Sequence, residues 1–187
     1  MAKKFEIGHL TDPEIAELLD LQSQNMRHNL DLETIASQGF VSFRYTPDIM
    51  RAKMREAPQI VARADGQLIG YALSTVVSVG RTIPAMVPLL NNIEQIVWRD
   101  RPMKDLTYYI MGQVCVRAAY RSIGVFDALY AGHRETFSSR YDCIVTEIAN
   151  ENGRSLAAHR RVGFETVHIG FDTASQKEWH TVAWDWR

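Results

Sequence analysis

Cysteine is scarce, with Cys115 and Cys143 alone among 187 residues, and they show no C-x-x-C spacing. A disulfide-dense secreted scaffold is excluded on that count. Both fall in apolar, strand-like runs and read as reduced core thiols of a cytoplasmic protein, able to pair only if the fold makes them neighbours. An excess of either charge is missing too: Lys+Arg 21 against Asp+Glu 22 gives a net charge of -1. Neither a nucleic-acid partner nor an anionic membrane is expected from that balance. No apolar run approaches the ~18 residues of a membrane span. Lys3 and Lys4 are followed by Glu6 and His9 rather than an apolar stretch, so no signal peptide is expected. Repeats, low-complexity tracts and linkers are lacking. His28, His133, His168 and His180 have no metal-ligand spacing, and no metal is expected.

What is present is ordinary globular material, 46% hydrophobic and 23% charged, in a length that suits one domain. Phe5–Ile7 reads as a short strand. Thr11-Asp12-Pro13-Glu14 opens a helix with a capping box, and Ile15, Leu18, Leu19 and Met26 follow at helical spacing. A second short helix near Asp31–Gln38 stops at Gly39, Phe40–Tyr45 is extended, and Thr46-Pro47 opens a third. Ile60–Arg63 and Leu68–Leu73 flank Asp65-Gly66, a strong hairpin dipeptide. Val77–Thr107 is less regular, with Met86, Leu89, Leu90, Ile93 and Val97 forming an amphipathic stripe. Strand, helix, strand and helix follow at Tyr108–Arg117, Gly124–Arg140, Tyr141–Ala149 and Asn152–Val162, and Val182, Trp184 and Trp186 alternate near the end. Trp179, Trp184 and Trp186 suit a core or a dimer interface, which leaves a homodimer open. The order predicts a mixed α/β domain around one sheet, with 77–107 inserted between its third and fourth core strands.

Two local patterns carry chemistry. Val116 through Phe126 runs from a strand through a tight turn into a helix, a geometry that aims backbone N–H groups and the helix dipole at one spot. Arg121 adds a charge there, and Gly124 permits close approach. About 30 residues on, Asn152 and Ser155 precede His159, Gly163 and Phe164. Together these resemble the GNAT (GCN5-related N-acetyltransferase) superfamily. Its phosphate turn is [QR]-x-x-G-x-[GA], and its following segment is N-x-x-[AS], a Tyr or His four residues later, then x-x-x-G-F. Phe126 stands where that family prefers Gly or Ala, and Ala118 where it has proline.

The resemblance implies a mostly antiparallel mixed sheet with a splayed parallel pair, flanking helices, and acetyl-CoA as co-substrate. It implies a coenzyme site at Val114, Cys115 and Val116 for the pantetheine, with Arg121, Ser122, Ile123, Gly124, Val125 and Phe126 around the pyrophosphate. Asn152 and Ser155 would steady the arm from the opposite side. His159 takes the position of the acid that protonates the leaving thiolate, a task suited to a group titrating near neutrality. Glu147, in an apolar strand, resembles the glutamate that removes the amine proton in ribosomal-protein α-amino acetyltransferases. Tyr109 and Gln113 are weaker candidates for substrate contact. By the family's topology the 77–107 insertion re-enters the sheet beside the splayed strand and is expected to select the amine, with Glu94, Trp98, Arg99 and Asp100 as the polar and aromatic groups available there. The acceptor is a small-molecule or peptide amine of unknown identity. The alternative is an acyl-CoA-binding module that has lost turnover, with Phe126 as its only hint.

Overall fold

The computed structural model describes residues 4–173 and 176–187. β1 (Glu6–His9) is followed by α1 (Ile15–Gln24), α2 (Leu32–Gln38) and α3 (Pro47–Glu56). The capping pattern before α1 forms, with the Thr11 N–H donating to Glu14 Oε2 at 2.8 Å. Asp31 caps α2 by accepting from the Thr34 N–H, and Thr46 caps α3. β2 (Ile60–Ala64) and β3 (Gln67–Val76) form the expected hairpin. Asp65 and Gly66 both hold positive φ, at 50° and 76°, as a two-residue turn of matching twist requires.

Between β3 and the next strand of the sheet, 77–107 folds into α4 (Val77–Gly80), α5 (Val87–Gln95) and a two-stranded ribbon, β4 (Val97–Trp98) with β5 (Arg101–Pro102). The chain then forms β6 (Tyr108–Val116), α6 (Val125–Phe137), β7 (Cys143–Ala149), α7 (Gly153–Val162), β8 (Glu165–Asp172) and β9 (Lys177–Asp185). The main sheet has the order β1-β2-β3-β6-β7-β9-β8. Every pairing in it is antiparallel except β6 with β7.

One face of the sheet packs under α6 and α7, around Tyr109, Met111, Leu129, Tyr130, Ile144 and Val182. The opposite face carries two clusters. One joins α1 and α3 to β2 and β3; the other joins the insertion to Tyr108, Ile110, Cys143 and Val145. Met86, Leu90 and Ile93 supply the insertion's buried stripe, whereas Val97 is 65% exposed because α5 ends at Gln95 and the chain turns into the ribbon. Cys115 and Cys143 are both buried and free.

Two features open the sheet. The β3–β6 register jumps between Leu73↔Gln113 and Ser74↔Met111, so Gly112 is an extra residue in β6. Such a bulge bends its strand. β6 lies parallel to β7 at Tyr108↔Cys143, Tyr109↔Ile144 and Ile110↔Val145, and beyond those pairs the strands part. Thr146 sits in the crotch, its hydroxyl donating to the Met111 carbonyl at 2.8 Å. A V-shaped opening results.

Candidate functional site

The turn after β6 is built by two residues in the left-handed region, Ser122 (φ 62°) and Gly124 (φ 91°). A Cβ on Gly124 would meet nothing within 4 Å, so glycine serves the backbone conformation there and leaves the approach clear. α6 begins at Val125 without a side-chain cap, and its first backbone bond runs from the Ala128 N–H to the Gly124 carbonyl. The N–H groups of Val125, Phe126 and Asp127 therefore precede the helical ladder and face outward with the positive end of the dipole.

A groove of about 570 Å³ lies at this helix end, between β6 on one wall and α7 on the other. Val114, Cys115, Val116, Arg121, Ser122, Gly124, Phe126, Asn152 and Ser155 all line it. Ile123 is 42% exposed beside it, and Val125 points its side chain into the core. The Arg117 N–H donates to β3 at Ile69, so by alternation Val116 and Val114 turn their N–H and C=O groups to the open side. The Phe126 ring folds down on Tyr130 and His159, at 4.9 and 5.3 Å between centroids, so its bulk is accommodated below the turn.

Arg121 is held by three oxygens: the Val116 carbonyl at 3.0 Å, Gln38 Oε1 at 3.2 Å and Asn25 Oδ1 at 2.6 Å. From α7, Arg154 lines the same groove and donates to the Ser37 carbonyl at 3.0 Å. Burial in the first place lowers the Arg121 pKa, and the like charge of Arg154 adds to it. All these hydrogen bonds end on neutral oxygens. Two guanidiniums and a helix N-terminus thus converge, while Asp127 in the first turn of α6, the carboxylate that also lines the groove, is paired with Arg161. Arg121 and Arg154 are left to neutral partners, which fits a diphosphate. Asn152 caps α7 by accepting from the Ser155 N–H, and its Nδ2 donates to the Phe40 carbonyl at 3.3 Å.

His159 is not in the groove. It is 2% exposed beneath α7, boxed by Phe126, Tyr130 and Phe164. Its Nδ1–H donates to the Ser155 carbonyl at 2.7 Å, which leaves Nε2 to accept from the Tyr130 hydroxyl at 2.6 Å. Burial lowers its pKa to about 4. The sequence pattern expects an acid here, and the structure places a ring with both nitrogens engaged in the core and outside the groove's lining.

Glu147 fares differently. It lies on β7 past the point where β6 departs, partly exposed, on the sheet face opposite α6 and α7. Burial raises its pKa to about 6, against a weak hydrogen bond from Thr181 at 3.4 Å, while the negative charge of Asp172 pushes the same way as burial.

The expected substrate contacts are taken up elsewhere. Tyr109 is fully buried among Phe137, Tyr141 and Trp186, its hydroxyl bonded to His133. Gln113 is 7% exposed, accepting from Gln22 and Tyr71 and donating to the Phe43 carbonyl. Trp98 is 6% exposed and donates to Glu165, and Glu94 is paired with Arg81 at 2.5 Å. All four are engaged with protein partners, and none lines the groove. Sequence reasoning missed Asn25, Gln38 and Phe40, which carry no motif, and Arg154, which stands two residues after the motif asparagine.

No family model matches the chain, and no curated protein matches it. Solved structures do. The ribosomal-protein-S18-alanine N-acetyltransferase from Escherichia coli superposes with a TM-score of 0.65, over 97% of this chain and 94% of its own, at 11% identity. The ribosomal-protein-alanine N-acetyltransferase from Brucella melitensis gives 0.62 over 96% and 99%, at 17% identity. A GNAT superfamily phosphinothricin acetyltransferase from Sinorhizobium meliloti, solved in complex with AcCoA, gives 0.63 over 99% and 89%, at 12% identity. The chain has the fold of the GNAT acetyltransferases. Among the described residues, no helix is long and apolar enough to cross a membrane.

Proposed function

We propose that this protein is an acetyl-CoA-dependent N-acetyltransferase of the GNAT superfamily, acting on a primary amine. The observation that carries the proposal is the convergence of Arg121, Arg154 and the uncapped α6 N-terminus on a groove that opens along the free edge of β6. Acetyl-CoA would supply a thioester whose acetyl carbon passes from sulfur to the amine nitrogen, the amine losing one proton and the sulfur gaining one.

The chain's own residues divide that work. Arg121, Arg154 and the N–H groups of 122–127 would hold the diphosphate. The open backbone edge at Val114 and Val116 would pair with the pantetheine amides as a further strand would, and would offer an N–H to polarise the carbonyl. Asn152 would steady the arm from α7. Glu147, poised near pH 6, would take the proton from the incoming amine. A carboxylate held partly desolvated beside an opening in the sheet favours turnover over a binding module that has lost it.

The test is release of free thiol from acetyl-CoA across a panel of small amines and peptide N-termini, alongside thermal melts with the coenzyme. Thiol release that rises with one class of amine, and a melting temperature raised by acetyl-CoA, are expected. If saturating acetyl-CoA leaves the melting temperature unchanged, the proposal fails. Binding without amine-dependent thiol release would instead select the non-catalytic acyl-CoA module.

A further inference from the structure

The third side of the groove is closed by one short stretch of chain, α2 and the residues after it, of which Gln38, Gly39, Phe40 and Val41 line the cavity. Its attachments are peculiar. Arg121 donates to Gln38 Oε1 (3.2 Å), Arg154 to the Ser37 carbonyl (3.0 Å) and Asn152 to the Phe40 carbonyl (3.3 Å). The donors come from both walls of the groove, and the acceptors are consecutive or nearly so in sequence. These are the same side chains that the proposed activity assigns to the coenzyme. In the free protein, neutral oxygens of residues 37–40 engage the donors that phosphate and pantetheine oxygens would need.

The segment is suited to letting go. α2 is a single seven-residue helix with Leu32 81% exposed and Gln38 exposed. Gly39 holds φ 76° and extended ψ, and a Cβ there would stand 2.8 Å from Asn152 Oδ1. Only glycine lets the strap press this closely on the asparagine. Beyond it Val41 is buried and pinned: its N–H donates to the Asn25 carbonyl, and its own carbonyl accepts from the Arg27 N–H. The far end is an anchor, and the 31–40 end is held by the groove's donors.

We propose that residues 31–40 form a latch that competes with the coenzyme for Arg121, Arg154 and Asn152. This rests on the acyl-CoA reading of the groove. A phosphate offers a guanidinium bidentate bonds and an opposite charge, where a carbonyl offers only a neutral acceptor, so a diphosphate wins the exchange and the latch is released from Gly39 onward. The measured affinity is then the difference between ligand bonds and latch bonds, and weakening the latch tightens binding.

Amide hydrogen exchange with and without saturating coenzyme A tests this, with inorganic pyrophosphate as a second ligand lacking the pantetheine arm. The N–H groups of Ile35 and Gly39, bonded to the Asp31 and Ile35 carbonyls, are expected to exchange several-fold faster with coenzyme A. Those of 125–127 are expected to slow. Gln38→Ala, at an exposed position, is expected to lower the Kd for coenzyme A by roughly 2–10-fold, the worth of one long, solvent-exposed hydrogen bond from Arg121. Protection at 125–127 with unchanged or slower exchange at 35–39 would overturn the latch while leaving the coenzyme site intact. So would a Gln38→Ala variant that binds more weakly. Absence of any coenzyme A binding would overturn both the latch and the function on which it rests.

Discussion

Glu147 and His159 are the two side chains to which the family resemblance assigns proton transfer, and burial acts on both by disfavouring charge. The effect on their usefulness is opposite. For Glu147 it raises the pKa to about 6, close to working pH, where a carboxylate is a stronger base than usual. For His159 it lowers the pKa to about 4 and leaves a neutral ring locked against Tyr130. Glu147→Gln is therefore expected to cut kcat by about 10²-fold and to abolish the rise in activity through pH 6. The same variant is expected to be more heat-stable at pH 7 by about 1–2 kcal/mol, since it removes a carboxylate whose ionisation the fold opposes. That gain should vanish below about pH 4.5, where Glu147 is protonated in the folded and unfolded chain alike. A wild-type activity profile flat from pH 5 to 7 would remove Glu147 from the reaction. His159→Phe is expected to lose about 1–3 kcal/mol of stability, from the orphaned Tyr130 hydroxyl, with kcat within a few-fold of wild type.

At the scale of elements, the hairpin, the strand–turn–helix at 116–126 and the α7 start at Asn152 were legible because each has a short-range cause. Asp65-Gly66 satisfies a turn, Gly124 a positive φ, and Asn152 a helix cap. Side-chain destinations on β6 were not legible. Gly112 shifts the register by one residue, so Gln113 meets Gln22 and Tyr71 while Tyr109 goes to the opposite core, and nothing local in the sequence announces a bulge. Nor could a motif locate α2 beside the groove, since that contact spans more than 80 residues of chain. Two mutations separate the binding element from the packing element. Arg121→Ala should weaken acetyl-CoA binding by about 1–3 kcal/mol, measured by calorimetry. Trp98→Ala, expected from sequence to alter amine recognition, should instead destabilise the fold by about 3–5 kcal/mol and leave the KM for the amine unchanged. A raised amine KM at undiminished stability would restore the insertion as a selector.

For the molecule as a whole, the core under α6 and α7 makes acid the expected mode of unfolding. His133 and His159 both pack against Tyr130, at 6.1 and 5.3 Å between ring centroids. His133 donates from Nε2 to the Ala72 carbonyl and accepts at Nδ1 from Tyr109. Burial lowers the pKa of each histidine to about 4. In the unfolded chain both titrate near pH 6.5. Between those values the unfolded state binds two protons that the native state refuses, so stability falls as pH falls through the window. Glu147 opposes this in part: below pH 6 the native state takes up one proton there before the unfolded chain does. The depressed carboxylates, Glu14 at about 2 and Asp142 and Asp185 below their ordinary value, contribute stability that is lost at more acid pH still. From pH 6.5 to 4.5 the balance is thus two histidines against one glutamate, a net loss of about 1–2 kcal/mol per pH unit as an upper bound. Urea midpoints measured across that range should fall steadily with pH, and His159→Phe should flatten the slope by the share of one proton. A midpoint that stays level or rises from pH 6.5 to 4.5 would mean that water or a rearranged core reaches these rings.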